Sequence, residues 1–339
     1  MPQSGIREIF DKIQQYDEIY DLSIGEPDFN TPEPIAEAVA SAVGSGAGSY
    51  TSTVGRADLR EAIASKLDTE NEIQADPTEE IIVTSGAMGA LFSATQVLCN
   101  SGDEVIVPGP YWPNYEGHLR NTGASLVSVS TSQANGFVPT ADDIEAAISD
   151  DTVGILLNSP TNPTGAVIPP EILKDIGEIV TENNLWIILD ETYEDLVYES
   201  INHHSLASDP NLFEHSITIH SFSKSYAMTG WRIGYASGPA DVISRMRILQ
   251  EHTISCAAEP SQVAAKVALE NPAVKSQIHE AFANRREIIL ERLQEIPNIS
   301  VNTPYGAFYV FVDISSLMND SYQFVEELIE EERVAGVPG

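Results

Sequence analysis

From Ile81 to Ser237 short apolar runs alternate with stretches of helical period, and this alternation limits the possible folds more than any other feature of the chain. Ile81–Thr84, Glu104–Val107, Leu126–Val129, Val153–Asn158, Trp186–Tyr193, Ser216–His220 and Ile233–Ser237 read as strands. Strands this apolar belong in a sheet that is covered on both faces. Met88–Leu98 and Pro170–Asn183 carry the helical period between them. The expected fold class is α/β, with a mostly parallel central sheet and helices on both faces. Before this block, Pro32–Val43 and Leu59–Leu67 read as helices. After it the alternation stops. Helices are expected at Asp241–Thr253, Glu259–Glu270 and Ala273–Leu293, then strands at Ile299–Val301 and Ala307–Val312, then a helix at Tyr322–Glu332. That change predicts a second, smaller α+β domain over 241–339, with the large domain over 31–240. Residues 1–30 are expected to pack with the small domain, through an amphipathic helix bearing Ile6, Ile9, Phe10, Ile13 and Tyr16. A strand-like run at Leu22–Phe29, broken by Gly25 and Pro27, follows it.

Open α/β sheets bind ligands at the C-terminal ends of their strands, and the unusual residues of this chain fall there. Ser85-Gly86-Ala87 is a small-residue turn into a helix, able to offer backbone N–H groups to an anion. Pro108 to Tyr115 holds three prolines and three aromatics, and its Trp112 suits either a core position or a stacking platform. Asn158 to Gly165 is a turn stiffened by two prolines that presents Asn162 at the same edge. Asp190 ends an apolar strand, and a buried carboxylate needs a cation or strong donor; a protonated ring nitrogen would serve. The run Ser221 to Tyr235 places Lys224 between Ser223 and Ser225 after another apolar strand. Desolvation there would lower its pKa and make the amine nucleophilic towards an aldehyde. Ser221 and Arg232 bracket the lysine with a hydroxyl and a guanidinium, groups that hold a phosphate. An aldehyde that carries a phosphate suggests pyridoxal 5′-phosphate.

The ordered set Gly25, Tyr50, Ser85-Gly86-Ala87, Trp112, Asn162, Asp190, Tyr193, Ser221, Lys224 and Arg232 resembles the class I/II aminotransferases of the pyridoxal-phosphate fold type I superfamily. The resemblance covers essentially the whole chain. Its most specific parts are Ser221–Arg232, Asn158–Gly165, Asp190–Tyr193 and Gly25–Phe29. It implies a homodimer that moves an amino group from an amino acid, an aspartate or an aromatic or aliphatic donor, to a 2-oxo acid such as 2-oxoglutarate, in ping-pong order. It also implies that Lys224 bonds the cofactor and then carries the substrate Cα proton, that Asp190 pairs with the pyridine nitrogen, and that Asn162 and Tyr193 bond the ring oxygen. Trp112 would stack on the ring, with Ser85, Gly86, Ala87, Ser221 and Arg232 on the phosphate. Tyr50 would reach the phosphate of the partner subunit. The substrate would meet Gly25, Trp112 and Asn162. Two departures stand out. The family continues past the position of Gly339 and carries there the arginine that grips the substrate α-carboxylate, so this sequence is expected to be cut short and no arginine present is assigned that clamp. Met88 stands where one aspartate-active branch carries a lysine.

The chain has 51 Asp and Glu against 17 Lys and Arg, a formal charge of −34 dispersed along its length. Such a charge repels nucleic acid and anionic membranes. On an ordinary apolar core it fits a protein adapted to molar salt, where counterions screen self-repulsion. Cys99 and Cys256 are too few for a disulfide framework, and no Cys/His cluster suggests a metal. Met1 to Arg7 offers no signal core, and no stretch approaches the roughly 18 apolar residues of a membrane span, so a cytoplasmic protein is expected. A β-elimination lyase of the same scaffold is the alternative chemistry. A cofactor-binding sensor is the non-enzymatic one, though the helix-turn-helix such regulators carry has no room here.

Overall fold

A computed structural model describes residues 9, 11–16, 18–199 and 201–339. Its centre is a seven-stranded sheet built from β2 (Ile81–Thr84), β3 (Glu104–Gly109), β4 (Ser125–Ser130), β5 (Thr152–Asn158), β6 (Trp186–Asp190), β7 (Ser216–Ser221) and β8 (Gly234–Ser237). Their order across the sheet is β2-β8-β7-β6-β5-β3-β4. All lie parallel except β8, which runs antiparallel to both β2 and β7. The apolar runs are continuous because both faces are covered. Ile155, Leu157, Ile187 and Leu189 join one buried cluster, whereas Leu156, Ile188, Ile217 and Ile219 join another on the opposite face. Side chains alternate in direction along a strand, so a run that must satisfy two apolar layers has no polar positions to spare.

Helices α1 (Glu33–Gly44), α2 (Ala57–Asn71), α3 (Gly86–Leu98), α4 (Asn114–Thr122), α5 (Ala141–Ala146), α6 (Pro170–Glu182) and α7 (Pro210–Phe213) connect and cover these strands. The first turn of α4 takes Asn114 and Tyr115, so the proline-aromatic loop is shorter than its composition suggests. Beyond β8 come α8 (Ala240–Thr253), α9 (Glu259–Glu270) and α10 (Ala273–Gln294). α8 packs on α3 and β2, and α9 on α1 and α2. The change of sequence pattern after residue 240 is therefore not yet a change of neighbours.

The last part of the chain holds β9 (Ser300–Val301), β10 (Val312–Asp313), α11 (Ser321–Glu332) and β11 (Val334–Ala335). The strand expected over Ala307–Val312 shrinks to β10, and its first residues run elsewhere. Ala307 adopts a positive φ of 57°, its N–H donates to the Leu196 carbonyl at 2.8 Å, and Gly306 bridges Val197. These bonds tie the segment to the loop after β6 and carry Phe308 and Tyr309 over the sheet edge. The strand-like run at 22–29 is likewise irregular. Its place is taken by β1 (Tyr20–Asp21), which pairs in parallel with β11. Downstream, Arg285 of α10 bonds both Asp28 carboxylate oxygens at 2.7 and 3.1 Å and lies 4.9 Å from the Phe29 ring centre. Of the expected N-terminal helix, Ile6 and Phe10 lie outside the described residues. Ile9 and Ile13 are buried with Val325, Ile329 and Ala335.

One glycine in β8 sets how closely the sheet approaches the first helix turn. A Cβ on Gly234 would lie 2.7 Å from both the Ala87 nitrogen and the His220 carbonyl, and 2.8 Å from the Gly86 carbonyl carbon. All three are backbone atoms that cannot swing aside. Gly234→Ala is expected to destabilise the protein by about 1–3 kcal/mol, read as a lower denaturant midpoint at an unchanged slope; an unchanged midpoint would show that the turn yields.

Candidate active site

Sheet register assembles one corner of the site. Gly234 is the partner of both Ser221 and Thr84, so the ends of β2, β8 and β7 lie side by side. Ser85 precedes the 13-residue helix α3, and Gly86 takes a φ of +72° to turn the chain into it. A Cβ at Gly86 would lie 2.6 Å from the Arg232 guanidinium, so the absent side chain is what admits that group to the turn. Arg232 is exposed and donates to the Thr229 carbonyl at 3.0 Å. Ser221 Oγ accepts from the Ser223 N–H at 3.1 Å. The turn, the helix N-terminus, the hydroxyl and the guanidinium together suit a phosphate.

Lys224 Nζ donates to the Gly25 carbonyl, and the Phe308 ring centre lies 5.5 Å away. Burial lowers its pKa to about 8, with Glu26 opposing the shift and Arg232 adding to it. This is the desolvated lysine anticipated from its flanking serines. Gly25 is needed without a side chain, because a Cβ there would strike the Tyr309 hydroxyl.

Asp190 closes β6 with 4% of its surface exposed. The Tyr115 hydroxyl donates to one carboxylate oxygen at 2.7 Å and the Thr192 N–H to the other at 3.2 Å. Burial raises its pKa above the usual carboxylate value, against the pull of those donors and of His220. Tyr193 shares a 2.6 Å hydrogen bond with Tyr309 and lies within hydrogen-bonding reach of the Asn162 side chain. Asn162 is fixed by its own N–H, which donates to Asn158 Oδ1 at 2.7 Å. Burial, with the neighbouring Tyr309, holds the Tyr193 phenol well above its ordinary value. Trp112 is half-buried and meets the Tyr115 ring edge-on at 5.5 Å.

The fold thus gathers Gly25, Ser85, Gly86, Ala87, Asn162, Asp190, Tyr193, Ser221, Lys224 and Arg232 along the C-terminal edge of the sheet, with Trp112 on the loop beside them. Tyr50 is different. Its side chain is 89% exposed, while the Gly48 and Ser49 N–H groups before it donate to Glu259 at 2.7 and 2.9 Å. Sequence reading missed three residues of this edge. Tyr115 had a signal, its place in the proline-aromatic loop; Phe308 and Tyr309 had none, because their segment reads as a strand of another domain.

Pyridoxal phosphate fits what is present: a cradle emptied by Gly86, a buried carboxylate short of a cation, and a buried amine of lowered basicity. A metal has a poorer claim. Glu191, Glu194 and His203 bring ligand atoms within 4.8 Å of one another, but Lys66 Nζ already stands 2.5 Å from Glu194. Among the described residues no helix is long and apolar enough to cross a membrane.

In the protein without cofactor, Lys224 is expected to form a covalent bond with added pyridoxal phosphate at a rate that rises about tenfold per pH unit up to about 8. Above that pH the neutral amine predominates and the rate levels. Borohydride trapping across pH 6–11 measures this; a rise continuing towards pH 10 would show an ordinary solvated lysine.

The family model for aminotransferase class I and II matches residues 17–339. The chain is 36% identical over 339 residues to an aspartate aminotransferase of Pyrococcus abyssi, across 99% of this chain and 87% of that one. It is 35% identical over 339 residues to aromatic-amino-acid aminotransferase 2 of Thermococcus litoralis, again across 99% and 87%. Among solved structures, aspartate aminotransferase from Thermus thermophilus with maleate superposes with a TM-score of 0.95 at 37% identity, across 100% of this chain and 89% of that one.

Proposed function

The chain belongs to the class I and II aminotransferases, and from that membership we propose aspartate as its amino donor and 2-oxoglutarate as its acceptor. The enzyme moves an amino group from an amino acid to a 2-oxo acid with pyridoxal phosphate. The observation that carries the assignment of roles is the part-buried amine of Lys224 at the same sheet edge as the buried carboxylate of Asp190. When bound, the cofactor supplies an aldehyde that condenses with amines and a ring that draws electrons from the substrate Cα. Lys224 would hold it through its amine and, once a substrate amine replaced it, would move the proton at the substrate Cα. Asp190, fixed by Tyr115 and Thr192, would keep the ring nitrogen protonated. Tyr193 and Asn162 would bond the ring oxygen, and Trp112 would cover the ring. Ser85, Gly86, Ala87, Ser221 and Arg232 would hold the phosphate. The Gly25 carbonyl, freed from Lys224, borders the substrate pocket beside Tyr309.

Tyr50 supports a homodimer with shared sites: its loop is anchored by Glu259 while its side chain projects fully into solvent. α8 and α9 belong with the large domain, and the small domain comprises α10 onward with the N-terminal segment. The two free cysteines favour a reducing cytoplasm, and the −34 charge an interior rich in salt. Aromatic donors are the second reading, favoured by Met88, whose sulfur meets Asn114 at 3.9 Å where a cation would serve a second carboxylate.

With 2-oxoglutarate as acceptor, aspartate is expected to yield oxaloacetate and glutamate faster than phenylalanine yields phenylpyruvate; the reverse order would establish the aromatic reading. Lys224→Ala should lose at least 10³-fold in kcat, and retained turnover would refute the lysine's role. The melting temperature is expected to climb as KCl rises from 0.1 M to molar levels, and a fall would contradict the salt adaptation.

A further inference from the structure

Tyr50 faces solvent, yet the chain on either side of it is gripped by one helix. Between α1 and Tyr50 runs a glycine-rich stretch, Gly44 to Ser49. A Cβ at Gly44, Gly46 or Gly48 would meet no described atom within 4 Å, and Gly46 and Gly48 take φ values of +102° and +145°. Packing therefore does little to fix this stretch, and glycines lose the most freedom on being fixed. The Ala47 N–H still returns to α1, at the Ala42 carbonyl 2.9 Å away. Beyond it the ties run to α9. Glu259, the first residue of that helix, accepts the Gly48 and Ser49 N–H groups on Oε2 at 2.7 and 2.9 Å. Its other oxygen is 3.3 Å from the Arg56 guanidinium, which also bonds both Asp58 oxygens at 3.0 Å. Gln262, one turn on, donates to the Thr51 hydroxyl at 2.9 Å and accepts the Arg56 N–H at 2.7 Å.

We propose that Glu259 is a positioning residue for the cofactor phosphate of the partner subunit: by holding the Gly48 and Ser49 backbone, it aims the Tyr50 hydroxyl at a site in the other chain. Two successive amides on one carboxylate oxygen fix the peptide planes on both sides of Gly48, where the chain has least steric guidance. Hydrogen bonds to an ionised acceptor are roughly twice as strong as neutral ones. The same two N–H groups hold the Glu259 carboxyl below its usual range, so it is ionised at neutral pH. The Tyr50 ring is 89% exposed, so within its own subunit the backbone is what sets its direction.

The inference rests on the reading that Tyr50 serves the partner's site, and its readout is cofactor affinity, measured by borohydride trapping of pyridoxal phosphate on Lys224. Glu259→Ala is expected to weaken binding about tenfold, and Glu259→Gln, which keeps an oxygen for the two N–H groups, by less. Added to Tyr50→Phe, Glu259→Ala should cost little more, because it acts through that hydroxyl. Hybrid dimers purified through two different tags then locate the effect. When a Glu259→Ala subunit pairs with a Lys224→Ala subunit, the only trapping site receives an intact loop, and wild-type affinity is expected. When wild type pairs with a subunit carrying both changes, the only trapping site receives the loosened loop, and affinity should fall by the full factor. The reverse pattern, equal weakening in both hybrids, a full further loss on Tyr50→Phe, or unchanged affinity in the Glu259→Ala homodimer would overturn the inference and leave the proposed function standing. A protein that stays monomeric, or traps no cofactor on Lys224, would overturn the reading on which the inference rests.

Discussion

A carboxylate buried at the end of a central strand is the constraint around which the rest of the structure is arranged. Asp190 keeps only 4% of its surface in contact with solvent, and burial pushes its pKa above the usual carboxylate value. Everything packed against it answers that cost. Tyr115 and Thr192 donate to its oxygens, and its backbone carbonyl is taken by Asn158 Nδ2 at 2.9 Å. A site prepared in this way is incomplete without a cation in front of it, and a pyridinium is the cation that the neighbouring lysine and phosphate cradle imply.

Lys224 is the counterpart on the adjoining strand. Its amine is removed from water, given one carbonyl to bond and placed near a cationic guanidinium, so its basicity falls to about 8. Two groups whose environments push them from their ordinary values in a common cleft are the mark of a reactive centre. The Gly25 carbonyl that holds the lysine comes from a segment clamped by Arg285 to α10, and the Phe308 beneath it comes from the far end of the chain. The lysine environment thus depends on three widely separated parts of the sequence meeting.

The acidic surface and the buried network obey one electrostatic rule in different solvents. On the surface, excess carboxylates are dispersed and left to counterions, whose screening length shortens to about 3 Å in molar salt. Inside, Asp190 is met by the Tyr115 hydroxyl and the Thr192 N–H, and Glu194 by Lys66 and Asn71. Arg120–Glu116 and Lys266–Glu270, one helical turn apart on the surface, contribute little by comparison.

The sequence by itself determined the sheet, because two-sided burial leaves no freedom in runs such as Ile187–Leu189, and it located the chemistry, because Lys224, Asp190 and Asn162 stand where strands end. It carried the small-residue turn as well, although the space that Gly86 leaves open is filled by Arg232, far along the chain. Tertiary structure alone decided that β8 runs antiparallel between β2 and β7, with Gly234 paired to both Thr84 and Ser221, and that Ala307–Phe311 leaves its expected strand to bond the loop at Leu196. It alone placed Tyr309 on Tyr193 and matched His220 with Glu191 and Glu194. Periodicity records only whether a residue faces apolar matter or water. Which polar group it meets across 100 residues or more is fixed by strand order and loop path, which leave no local trace.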